Sequence, residues 1–75
     1  MYYVYILLSL KDKNFYVGYT TFLNKKLLEH KNSKVKLTKN RLPMKLLCFE
    51  AYLLKKEAMN RKNILKVVMA KKIDN

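Results

Sequence analysis

The chain has 75 residues and carries 17 Lys plus Arg against 5 Asp plus Glu, a net charge of +12. That length leaves room for one core, so a single domain over residues 1–75 is expected, and a hydrophobic share of 51% excludes a disordered polyelectrolyte. A lone cysteine, Cys48, excludes an internal disulfide and points to a reducing, cytoplasmic setting.

The first ten residues, MYYVYILLSL, lack a basic leader and a cleavage site and fall short of the ~20 residues of a spanning helix. Aromatic and β-branched residues from Tyr2 to Leu8 predict a buried strand. A polar loop of about five residues leads to a second short strand, Phe15 to Tyr19, in an antiparallel hairpin. Thr20 or Thr21 can cap a helix over TFLNKKLLEHK. Residues 32–44 have no period and read as loop. Lys45 to Leu53 predicts a third strand, mostly buried, and from Lys55 a helix runs to about Met69. The order is β-β-α-β-α, an α+β domain with a three-stranded sheet packed by helices.

On the first strand Tyr3, Tyr5 and Leu7 share a face, and on the second Tyr16 and Gly18 do so. Register decides whether Tyr5 and Tyr16 meet; otherwise they are ordinary amphipathic sheet residues. Gly18, the chain's one glycine, marks a bulge or a close approach of backbone or ligand. In the first helix Lys26 and His30 lie at i, i+4, with His30 beside the Leu23/Leu27 stripe. It is either a core histidine bonded to a backbone carbonyl or a general base. In the second helix Ala58, Leu65 and Met69 form an apolar stripe flanked by Leu54 and Val68. Lys62 stands about 40° from Ala58, where a lysine ordinarily snorkels. No carboxylate pair has two-metal spacing, His30 and Cys48 make no zinc set, and no metal ligand is assigned. No phosphate-cradling glycine loop or nucleophile elbow occurs.

The charge points to a polyanion, nucleic acid before an anionic membrane surface; lysine-rich codon usage is the bland alternative. Lys31, Lys34, Lys36, Lys39, Arg41 and Lys45 fall in or beside the central loop and can track a phosphate backbone, unless the loop is merely solvated.

Together VYI at 4–6, YVG at 16–18, the helix KKLLEH, the loop LTKNRLPMKL, then FE and KKEAMNRKNILK resemble the GIY-YIG nuclease superfamily, most closely its small single-domain members. The resemblance spans nearly the whole chain and implies a three-stranded antiparallel sheet flanked by helices. It also implies cleavage of DNA phosphodiesters with one divalent metal, Mg²⁺ or Mn²⁺. It casts Tyr5 and Tyr16 as the phenols framing the site, one helping to activate water or acting as base, and His30 as an auxiliary acid or base. Gly18 would let the strand end approach substrate closely.

Two positions depart from the family pattern. Lys26 stands where the phosphate-steadying arginine is expected and loses the bidentate fork. Lys62 stands where the metal-binding glutamate is expected. A divalent ion about 4 Å from an ammonium meets repulsion of several kcal/mol at a surface-like dielectric, whereas Lys62 can itself hold a phosphate. The expected function is therefore an endonuclease-like domain that binds DNA, with Gly18, Lys36, Lys39, Arg41 and Lys62 on the substrate and metal-dependent cleavage impaired. An active Mg²⁺-dependent endonuclease and a protein-interaction domain are the alternatives.

Overall fold

The computed structural model describes residues 1–32, 34–35 and 38–70. Three strands, β1 (Tyr2–Ser9), β2 (Phe15–Thr20) and β3 (Met44–Tyr52), form one antiparallel sheet in the order β2-β1-β3. Helices α1 (Leu23–Lys31) and α2 (Lys55–Ala70) complete the expected β-β-α-β-α order, with a 3-10 turn at Lys39–Arg41 between α1 and β3. Among the described residues no helix is long and apolar enough to cross a membrane.

β1 is central because it is the most apolar strand: Val4, Tyr5, Ile6 and Leu7 are all buried in succession, filling both faces of the sheet. Val4 and Ile6 meet Val17 of β2 and Ala58 and Leu65 of α2, with Tyr2, Tyr19, Tyr52 and Met69 packed around them. Each such aliphatic side chain contributes roughly 1.5–3 kcal/mol by leaving water. Tyr5 and Leu7 face the opposite side, where α1 delivers His30.

The hairpin loop is organised by Ser9, whose buried hydroxyl accepts the N–H groups of Lys11 and Asp12 and donates to the Arg41 carbonyl at 2.6 Å. Lys13 takes a left-handed conformation (φ 61°) to close the turn. Helix α1 starts later than the threonines foretell. Thr20 Oγ1 accepts the N–H of Phe22 at 3.0 Å, so the threonine closes a turn ahead of the helix, and Phe22 occupies the cap position with no side-chain cap.

Strand β3 is an edge strand and is not mostly buried, with Leu47 45% and Phe49 51% exposed. A bulge between its pairings with Ile6 and Leu7 leaves Leu47 as an extra residue: Ile6 faces Cys48, and Leu7 faces Leu46. On α2 the predicted stripe holds for Ala58, Leu65 and Met69, but its flank does not. Leu54 and Val68 are exposed, because a three-stranded sheet is too narrow to cover more of the helix.

Candidate functional site

The register places Tyr5 opposite Gly18 and Leu7 opposite Tyr16, so both tyrosines stand on the α1 face of the sheet. Their ring centroids are 6.3 Å apart, and the His30 ring lies 5.6 Å from Tyr5 and 5.2 Å from Tyr16, edge-on to both. Three candidate residues that lie far apart in sequence thus share one cluster. A Cβ on Gly18 would run into Cζ and Oη of Tyr5. The glycine has no positive φ; what it supplies is room for the phenol.

Tyr5 Oη lies 2.9 Å from His30 Nε2, and His30 Nδ1 lies 2.7 Å from Thr38 Oγ1. Thr38 in turn donates to the Val35 carbonyl at 3.4 Å. A neutral imidazole serves both contacts, one ring nitrogen donating to a hydroxyl and the other accepting from one. Burial, then the nearby Lys26 charge, hold its pKa below the ordinary 6.5, with Glu29 opposing. Burial, then Tyr16, then Glu29, push the Tyr5 phenol well above its usual range. Tyr5, 1% exposed, thus stays a protonated phenol against His30, and the half-buried Tyr16 is the phenol nearer solvent. The histidine bonds two side-chain hydroxyls and no backbone carbonyl. Thr38 lies in an aperiodic loop, where the sequence offers no spacing that ties it to His30.

Lys26 is half-buried and pairs with Glu29 at 3.1 Å. Nothing in the sequence marks Glu29 as a site residue, yet its charge acts on both Tyr5 and His30. Lys62 is half-buried at the margin of α2. Glu50 on β3, a carboxylate that contacts α2, is held by Lys62's neighbour Arg61 and by Tyr52. Arg61 donates to both of its oxygens, at 2.9 and 3.2 Å, and Tyr52 Oη donates to Oε1 at 2.6 Å. These bonds, Arg61 first, hold the Glu50 carboxyl below the usual range. Among the described residues no three His, Cys, Asp or Glu side chains gather closely enough to hold a metal ion.

Of the loop cations, Lys39 is exposed. Arg41 is pinned to the hairpin, its Nε 2.9 Å from Asp12 Oδ2 and its Nη2 3.3 Å from the Phe15 carbonyl. Lys36 lies outside the described residues. Beside His30 a cavity of about 410 Å³ opens between α1 and β3, lined by Leu7, Leu27, Met44 and Leu46.

The GIY-YIG catalytic domain family matches residues 1–72. A UPF0213 protein of Streptococcus pneumoniae is 38% identical over 65 residues, covering 85% of this chain and 65% of that protein. Another from Clostridium perfringens is 42% identical over 67 residues, covering 88% and 71%. One from Lactococcus lactis is 47% identical over 60 residues, covering 79% and 57%. The chain thus spans about two thirds of the length of the relatives it matches. No solved structure matches it. With the family match over nearly all residues and the two motif tyrosines brought together on one sheet face, the chain belongs to the GIY-YIG nuclease superfamily, among the small UPF0213 proteins.

Proposed function

We propose that this domain binds nucleic acid, DNA first, along the phosphodiester backbone, and that metal-dependent cleavage in it is impaired. The observation that carries the reading is a contrast between what the two helices present. Toward α1, Tyr5, His30 and Thr38 form a hydrogen-bond chain with Tyr16 against it. On α2, no set of metal ligands gathers among the described residues. Lys62 stands at the helix position expected to hold a carboxylate, and Glu50 is bonded on both oxygens by Arg61. This donor set does not fit a divalent ion.

What remains suits binding. Lys26 and Lys62 offer phosphate a charge without a bidentate fork, and the exposed Lys39 adds to it. Gly18 serves the substrate indirectly, by letting Tyr5 lie flat enough to reach His30. The exposed, free Cys48 accords with a cytoplasmic location.

The test is cleavage of labelled branched and linear DNA in Mg²⁺ or Mn²⁺, comparing the native protein with Lys62→Glu and with Lys62→Glu plus Lys26→Arg. The native chain is expected to bind without cutting and the double variant to cut. Cutting by the native protein that Tyr16→Phe abolishes would overturn the reading. It would favour an active endonuclease in which Glu29, whose charge reaches Tyr5 and His30, serves as the carboxylate.

A further inference from the structure

On the tyrosine face of the sheet, beyond Tyr5, an open cleft of about 540 Å³ lies between Tyr3 of β1, Phe49 of β3 and Phe22 at the start of α1. Its rim carries Lys25, Asn24 and Thr21 and no acidic side chain. Phe22 is 70% exposed and Phe49 51% exposed. Solvated phenyl rings cost free energy, and a cluster of them in a small domain marks an interaction surface.

These rings are also held in place. The N–H of Phe22 donates to Thr20 Oγ1 at 3.0 Å and its carbonyl accepts from Lys26 N–H at 3.0 Å, so the backbone beneath the ring is fixed. Phe49 leans on Tyr3, with centroids 6.1 Å apart and planes at 63°. A second cleft of about 180 Å³ shares Phe22 and Lys25 with the first and continues to Lys26 and Glu29, next to the Tyr5–His30 pair. Flat apolar walls, a cationic rim and a continuation toward the Tyr5–His30 cluster occur on one face.

We propose that this aromatic cleft stacks an unpaired nucleobase, with Lys25 on the adjoining phosphate, so that the domain prefers single-stranded or frayed nucleic acid to intact duplex. The inference rests on the nucleic-acid-binding reading above. A polymer that is anionic along its backbone and presents flat rings is the ligand that satisfies rings and lysine at once. A base paired inside a duplex cannot offer its face to Phe22 or Phe49.

Fluorescence anisotropy with labelled oligothymidylate and oligouridylate of roughly 16 nucleotides, beside a blunt duplex, tests it. Phe22→Ala and Phe49→Ala are each expected to weaken single-strand binding by about tenfold, with duplex binding and the salt slope unchanged. Phe22→Tyr and Phe49→Tyr restore it. The two oligomers distinguish DNA from RNA as the source of the base. Both phenylalanines are exposed, so thermal melts of the alanine variants should match the native protein. Duplex binding with no single-strand preference, or single-strand binding indifferent to both alanine variants, overturns this inference and leaves the proposed function standing. Absence of binding to every oligomer overturns both. Sedimentation showing self-association that Phe22→Ala abolishes, with no single-strand preference, assigns the cleft to a second copy and also overturns it.

Discussion

A ring and a missing methyl share one space at the centre of this sheet. Tyr5 lies across Gly18, and a Cβ there would press on the ring carbon and oxygen that reach His30. Gly18→Ala should therefore displace the phenol, costing about 1–3 kcal/mol as overpacking does. At roughly 4–8 °C per kcal/mol for a domain of this size, the loss is readable in a thermal melt. Tyr5→Leu should cost less in the Gly18→Ala background than in the native one, since the two residues contest one volume. A Gly18→Ala protein as stable as the native chain would refute this account of the glycine. The presence of a constrained strand glycine was legible in the sequence. Its partner was not, because only the pairing register sets Tyr5 opposite it.

Helix α1 and Thr38 together hold a buried histidine below its ordinary pKa. Among the described residues, the groups facing His30 are Tyr5 and Tyr16 from the sheet, Thr38, and Lys26 and Glu29 on its own helix. Because its folded pKa is depressed, the unfolded chain binds a proton first as pH falls below the ordinary 6.5. Stability should be level in this respect above 6.5 and decline from there toward the lowered folded value. Asp12 and Glu50 act below their ordinary 3.8 and 4.5, outside that window. Urea melts from about pH 8 to about pH 5 should show the decline, and His30→Gln should flatten it. A native profile without slope there refutes the neutral, buried histidine. Element order and the faces of β1 were readable from alternation, and the His30 position from helical period. The Thr38 bond, the Arg61–Glu50 fork and the Arg41–Asp12 pair were not, since each joins side chains through loop geometry or across elements with no shared period.

At the scale of the molecule, a net charge of +12 makes the proposed binding of nucleic acid strongly dependent on salt. If five or six phosphates are neutralised on B-DNA, log affinity should fall against log salt with a slope of about −5. Replacing exposed Lys39 with Gln should shallow that slope by about 1 without changing sequence preference. Titrations at several salt concentrations check both, and binding that ignores salt would place the affinity in the apolar surface instead.

The bulge at Leu47 bears on chain length. Phe49 faces Tyr5 and Leu46 faces Leu7, so residues three apart in sequence look the same way, and a wall of the aromatic cleft and the lining of the His30 cavity come from opposite phases of a single strand. The extra residue absorbs that change of phase. A chain lacking Leu47 would set Leu46 directly before Cys48 and keep the pairs Ile6–Cys48 and Leu7–Leu46 in a regular ladder, with no side chain sent to the other face. The strand thus has one residue to spare at this point, and what its loss would remove is the local bend rather than either lining.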